Sequence, residues 1–335
     1  MDANKPTVLI TGASTGLGLA ISRRLMETGE FRLLLTAREK SLGRFQELGI
    51  TESETLMIRP LDVTNRLERE KVVDEVLKTW GQVDFLINNA GLAYRSVAEH
   101  IEPYELVRQM SINFYAPLDL IRLVLPSMRR RRQGHIINIS SVSGMMAMPT
   151  MGLYSSSKFA LEGLSESLWY EVKPWNINVT LVEPGFIQSE AFQNVPWTRK
   201  AKKVRFNEAC PYHPQYNSME PFIGKIMRRV LARPDSVAKK VLKVMRRSRP
   251  PLRVKATMDA VLFDLMKRFM PASFYHWFLF RSLPNVKNWG KAQVTESDQA
   301  NFLVLEKNSA SFLAESLDFV DSKTDKTSDS SSPEL

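Results

Sequence analysis

At 335 residues, 44% hydrophobic and 24% charged, the chain is long enough for one large globular domain or two small ones, and its composition excludes a wholly disordered chain, a coiled coil and a collagen-like fibre. No apolar run reaches the roughly 18 residues of a bilayer-spanning helix, and a single cysteine, Cys210, excludes an internal disulfide and gives no sign of a metal site. Lysine plus arginine outnumber the acids 46 to 36, a net of +10 that admits nucleic acid, an anionic membrane or an anionic ligand as partner.

The start, MDANKPTVLITG, shows no secretory signal, so a cytoplasmic location is expected. TVLIT (7–11) reads as a strand and 17–28 as a helix, with TGASTGLG (11–18) between them. Gly12 permits a tight turn there, Gly16 lets backbone approach a phosphate, and Gly18 lets helix and strand pack closely. A helix N-terminus at that point offers free N–H groups to a pyrophosphate. FRLLLT (31–36) is the second strand, and Arg38 follows it where an acid would bind a ribose 2′-hydroxyl; a guanidinium there suits a 2′-phosphate, so NADP(H) is favoured over NAD(H). TLMIRPLDV (55–63) is the third strand, ending in Asp62, which either receives the adenine amino group or competes with Thr64 and Asn65 to cap the helix at 66–80.

VDFLIN (83–88), HIINIS (135–140) and INVTLVE (177–183) continue the series, mostly apolar throughout, as suits strands covered on both faces. The alternation with helices predicts a doubly wound parallel α/β sheet. NNAG (88–91) closes the fourth strand at the edge where a ligand lies in such a sheet. Tyr154 and Lys158 are spaced i,i+4 on one helix face, where an ammonium lowers a phenol's pKa and readies it for proton transfer; Ser141 can donate to the same substrate oxygen.

After residue 190 the rhythm breaks into a proline-rich, aromatic stretch, 191–219, irregular or partly helical. Helical patterns resume near Glu220 and at 236–247, LRVKA (252–256) reads as a last strand, and 258–270 is an amphipathic helix through Met258, Val261, Leu262, Leu265, Met266 and Phe269. FYHWFLFRSL (274–283) follows. Charge is unevenly spread: 225–255 holds twelve basic residues and one acid, whereas 294–335 is net −6 and is expected to be disordered towards its end.

Taken together, TGASTGLG, LDV (61–63), NNAG, Asn113 in SINFYA, Ser141 in ISSVSG, YSSSK (154–158) and Pro184-Gly185 resemble the short-chain dehydrogenase/reductase family over about residues 5–250. The resemblance implies a Rossmann-type sheet in a domain spanning 1–256, a substrate lid at 190–222, a helical extension at 257–293 and an acidic tail. It implies Tyr154 as general acid/base, Lys158 on the nicotinamide ribose, Ser141 polarising the substrate oxygen and Asn113 holding a water that relays protons to Lys158. The cofactor would be held by Gly12, Ser14, Thr15, Gly16, Leu17, Gly18, Arg38, Asp62, Val63, Asn89, Ala90, Gly91, Tyr154, Lys158, Pro184, Gly185 and Ile187. Ser189 stands where a threonine is common.

SVSGMMAMP, YSSSKFALEGLSESL and VEPGFIQ look like the branch of 17β-hydroxysteroid and photoreceptor-type retinol dehydrogenases, which implies a steroid-, retinoid- or fatty-carbonyl-like substrate. A 3-oxoacyl-thioester reductase, with a carrier landing on Arg129–Arg132 or Lys200–Arg205, is the alternative within the class; a non-enzymatic dinucleotide sensor is the alternative outside it. No base-stacking module or zinc pattern accompanies the charge, so no nucleic-acid partner is expected. The aromatics Phe192, Trp197, Phe206, Tyr212, Tyr216 and Phe222 either form a lid over an apolar substrate or pack a long loop, and His213 is either a substrate contact or solvated. A homo-oligomer, dimer or tetramer, is expected from the family. The 225–283 region either meets an anionic membrane peripherally or covers the pocket or a subunit interface.

Overall fold

The computed structural model describes residues 5–188 and 195–291. Seven strands form one parallel sheet: β1 (Thr7–Ile10), β2 (Arg32–Ala37), β3 (Leu56–Pro60), β4 (Phe85–Asn88), β5 (Gly134–Ile139), β6 (Ile177–Glu183) and β7 (Arg253–Lys255), in the order β3-β2-β1-β4-β5-β6-β7. Each expected strand is present. The central ones are buried on both faces, which is why they read as continuous apolar runs.

Alternation along each strand sends successive side chains to opposite layers. Val8 and Ile10 of β1 face one core with α1 (Gly16–Thr28), where Ile21 and Leu25 meet Val237 and Val241 of a later helix. Leu9 faces the other core, lined by Val72 and Val76 of α3 (Arg66–Trp80). α2 (Gly43–Glu47) closes the first layer beside β2. The second layer holds α4 (Pro103–Met110), α5 (Ala116–Arg131) and α6 (Gly152–Val172), with Leu120, Val124 and Leu168 against the sheet. A π turn, Ser111–Tyr115, joins α4 to α5.

Beyond β6 come α7 (Arg199–Val204), α8 (His213–Arg229) and α9 (Pro234–Met245), the last supplying Val237 and Val241. After β7, α10 (Met258–Phe269) and α11 (Ala272–Ser282) pack on the loop that follows β5, with Ala260 and Tyr275 against Val142, Met145 and Met146. The expected acidic tail at 294–335, Ser189 and Phe192 lie outside the described residues.

Candidate active site

Strand order reverses between β2-β1 and β1-β4, and a cleft of about 1040 Å³ opens at the carboxyl ends of the strands there. Its lining includes every residue expected to hold the cofactor, from Gly12, Ser14, Thr15, Gly16, Leu17 and Gly18 through Arg38, Asp62, Val63, Asn89, Ala90 and Gly91 to Tyr154, Lys158, Pro184, Gly185 and Ile187. Ser141 lines it as well. Asn113 does not; it is buried one layer behind.

The glycine loop is shaped for close backbone approach. Gly16 has φ +55° with open space where a Cβ would be, and Gly18 abuts the Gly12 carbonyl too closely for any side chain. Thr15 caps α1 without a side-chain hydrogen bond, and the first turn carries no acid, so the N–H groups and positive dipole end face the cleft. The Asn89 amide is engaged with the loop itself, its Nδ2 donating to the carbonyls of Thr11 (2.9 Å) and Gly12 (3.1 Å). These features fit a dinucleotide pyrophosphate.

At the far rim, Arg38 is joined by Lys40, Ser41, Arg44 and Arg108, none of which the sequence reading singled out. The signal for the first three was present: REKSLGR (38–44) places three cations and a hydroxyl just after β2. Asp62 does not cap α3. Asn65 does, its Oδ1 accepting from the Leu67 (3.0 Å) and Glu68 (3.4 Å) amides, while Asp62 Oδ1 accepts from the Thr64 amide (2.9 Å) and hydroxyl (2.7 Å). Burial raises the Asp62 pKa, but the Thr64 donors and the charges of Arg38 and Arg108 outweigh it and hold the carboxyl below its usual range.

Tyr154 and Lys158 share a face of α6, with Nζ 5.8 Å from the phenol ring centroid. Just before this helix, buried Thr150 has φ +66°, strained for a β-branched residue, and its carbonyl accepts from the Ser96 amide (2.8 Å). The expected lowering of the phenol pKa by the ammonium is not what the structure displays. Burial raises Tyr154, and the group acting the other way is the Ser141 hydroxyl. Lys158 Nζ donates to the Ile139 carbonyl (2.8 Å), and burial lowers its pKa to about 8 against the opposing pull of Glu162.

Asn113 sits in the π turn, where the widened backbone is a common mark of functional positions. Its Nδ2 donates to the Leu92 carbonyl (2.7 Å) and the Ser157 hydroxyl (2.9 Å), and its Oδ1 accepts from the Leu92 amide (2.9 Å).

The Pro184-Gly185 wall is fixed from α10. The Gly185 amide donates to Thr257 Oγ1 (2.8 Å) and the Phe186 amide to Asp259 Oδ2 (2.8 Å). Behind it runs a ladder of ions. Arg253 on β7 pairs with Glu162, Glu166 (2.7 Å) and Glu183 (2.9 Å); Lys255 pairs with Glu183 and Asp264 (3.2 Å); Asp264 pairs with Arg268 (2.8 Å). Glu183 is wholly buried, and burial together with the Glu183 charge raises the Glu162 pKa. Sequence reading missed this ladder because β7 and α6 are some 90 positions apart in the chain (Arg253 to Glu162).

Several cations and aromatics expected at the cleft mouth have other tasks. Arg131 binds Asp84 (2.7 Å) and the Val83 carbonyl (2.8 Å), Arg132 binds the Pro174 carbonyl (2.7 Å), and Arg129 lies over the Trp175 ring. They precede β5, at the sheet edge opposite the cleft, so 129–132 is no landing surface beside the mouth. Tyr212 and Tyr216 flank buried His100, whose Nδ1 is 2.9 Å from Tyr216 Oη, and Trp197 packs edge-on against Tyr216. They pack the loop. From the described part of 190–222 only Val195 lines the cleft, and His213, the first residue of α8, does not.

A parallel sheet of this order, with a glycine loop and a Tyr-x-x-x-Lys pair facing one cleft, defines a nicotinamide-dinucleotide-dependent oxidoreductase. The chain belongs to the short-chain dehydrogenase family, whose model matches residues 6–200. It is 34% identical over 275 residues to a 3-ketodihydrosphingosine reductase of Bacteroides thetaiotaomicron, covering 81% of this chain and 96% of that protein. It is 32% identical over 297 residues to retinol dehydrogenase 8 of Bos taurus, covering 85% and 93%. Among solved structures, a short-chain dehydrogenase from Streptomyces avermitilis superposes with a TM-score of 0.70 at 26% identity, covering 84% of this chain and 98% of that one.

Proposed function

We propose that the protein is an NADP(H)-dependent oxidoreductase that interconverts a lipophilic alcohol and its ketone or aldehyde, of steroid-, retinoid- or fatty-carbonyl-like chemistry. The observation that carries this reading is the convergence of Tyr154, Ser141 and Lys158 on a dinucleotide-sized cleft whose far rim is basic. When bound, the cofactor supplies or accepts the hydride. Tyr154 gives the proton to, or takes it from, the substrate oxygen, and Ser141 donates a hydrogen bond to that oxygen. The depressed Lys158 gives up its proton more readily than an ordinary lysine and so suits a relay at neutral pH. Asn113 holds the Leu92 backbone and Ser157 behind that relay. The cluster of Arg38, Lys40 and Arg44 supports a 2′-phosphate over a bare ribose. The names of the two relatives, 3-ketodihydrosphingosine reductase and retinol dehydrogenase 8, support a lipophilic substrate.

We read residues 1–256 as the catalytic domain and 257–293 as an extension. Exposed Leu106, Tyr115, Phe159 and Tyr170 on the α4–α6 side support a homo-oligomer. Exposed Lys202 and Lys203 on α7 favour a carrier-bound 3-oxoacyl thioester as the second reading. A screen of NADPH and NADH against steroid, retinal, fatty-aldehyde and acyl-thioester panels, followed by nicotinamide absorbance, tests all of this. Turnover of the lipophilic panels with NADPH is expected; turnover of acyl-thioesters alone, or none that Tyr154→Phe abolishes, overturns the main reading.

A further inference from the structure

We propose that the outer face of α10 and α11 docks on an anionic lipid bilayer. Met258, Leu262, Leu265 and Phe269 recur at intervals of four, three and four, which puts them on one stripe of α10, and they are 80, 57, 45 and 80% exposed. The opposite stripe does the ordinary work of an amphipathic helix: Ala260 is buried and Phe263 and Met266 pack on Val142, Met145 and Met146. α10 therefore has two apolar faces, and among the described residues only one is packed against the rest of the fold. α11 repeats the pattern. Tyr275 and Leu279 point inward, while Phe274, Trp277, Phe278 and Phe280 are exposed, Phe274 and Trp277 stacking with centroids 5.6 Å apart. Eight large apolar side chains on two consecutive helices form an exposed patch of the kind that marks an interaction site.

The charge around the patch selects the partner. From Leu265 to Lys291 the sequence contains five cations and no acid; Arg268 is balanced by Asp264 and Lys267 donates to the Met145 carbonyl (2.7 Å), which leaves Arg281, Lys287 and Lys291 without an acidic partner among the described residues. Exposed Lys225, Arg228 and Arg229 belong to α8, whose Ile226 and Val230 pack in the same cluster as Leu283 and Trp289 just past α11. A second copy of the chain would bring this unbalanced positive charge against itself. A bilayer of acidic phospholipids instead offers both complements, acyl chains for the aromatic and aliphatic stripe and headgroups for the cations, the two-signal arrangement that peripheral attachment needs. Among the described residues no helix is long and apolar enough to cross a membrane, so the face lies on the surface. The first turn of the same helix holds the Gly185 and Phe186 amides, which brings the docked face next to the cleft wall.

The inference goes beyond the proposed activity, since lipid binding is read without turnover and either can fail alone. The full chain should co-sediment with vesicles of phosphatidylcholine and phosphatidylserine at physiological salt, and less with phosphatidylcholine alone. Leu262→Asp with Trp277→Asp should lower the vesicle-bound fraction at least tenfold. Both residues are exposed, so the unfolding midpoint should not move; reversal of Lys287 and Lys291 to Glu provides a second, purely electrostatic variant. Absence of binding to the anionic vesicles, or equal binding by wild type and both variants, overturns the proposal. So does a wild-type dimer that the double variant turns into monomer while vesicles stay empty, which assigns the face to a second copy. Protease protection of 292–335 that the double variant loses, again with empty vesicles, assigns it to that segment.

Discussion

The floor of the cleft and the α10–α11 layer invert the usual preferences of side chains in opposite directions. The floor buries what water normally keeps: Lys158, Glu162, Glu183 and Asn113 are all nearly inaccessible. The outer layer exposes what the core normally keeps, with Met258 and Phe269 four-fifths in solvent. Burial of polar groups is tolerated in the floor because each is tied to a partner: Lys158 to the Ile139 carbonyl, Glu183 to Arg253 and Lys255. No such compensation exists for the exposed stripe within the described chain. Departures from ordinary burial are thus where we propose the chemistry in one region and the partner in the other.

The comparison can be broken by mutation, and the largest effect belongs to the floor. Tyr154→Phe removes only a hydroxyl, so the fold should survive while kcat/KM falls by about 10²–10⁴, the range for a lost general acid or base; steady-state assays beside a circular-dichroism spectrum check this. Arg253→Ala should lower stability by about 3–5 kcal/mol in urea titration, because it leaves Glu183 and Glu162 buried beside each other with one fewer cation.

Lys158→Met should abolish turnover yet raise stability at neutral pH by about 1–3 kcal/mol, since a pKa lowered to about 8 measures the cost of burying the ammonium. The sign is specific: a lysine depressed in the fold destabilises most below about pH 8 and ceases to as pH climbs towards its unfolded value, so the gain should shrink above pH 8 and vanish near pH 10.5. A stability gain independent of pH would mean that burial of the charge is not its cause. Arg38→Ala should cut the preference for NADPH over NADH by roughly tenfold, about 1.4 kcal/mol, with Lys40 and Arg44 keeping part of it. Smallest of all, Leu265→Asp should change stability by no more than about 0.5 kcal/mol; a loss of several kcal/mol would show that the stripe is packed rather than exposed.

Chain order decided how much could be read beforehand. TGASTGLG, NNAG and YSSSK each carry their chemistry within a few residues, so the loop, the strand edge and the i,i+4 pair were all visible. Arg253 with Glu162, or Asp259 with the Phe186 amide, meet only because β7 returns beside β6, and no local pattern announces them. The 258–270 periodicity predicted an amphipathic helix correctly, but it could not say that Ala260 and Phe263, rather than Leu262 and Leu265, would face inward.

The sequence by itself determined the doubly wound sheet, the glycine loop and the Tyr154–Lys158 pair, because strand alternation and helical spacing are local consequences of backbone geometry. Only the tertiary structure decided that burial raises Tyr154 while depressing Lys158, that Asn65 rather than Asp62 caps α3, and that the described residues leave the second face of α10 uncovered. Dielectric surroundings, cap competition and burial all depend on which distant segments come together, and that is a property of the folded chain.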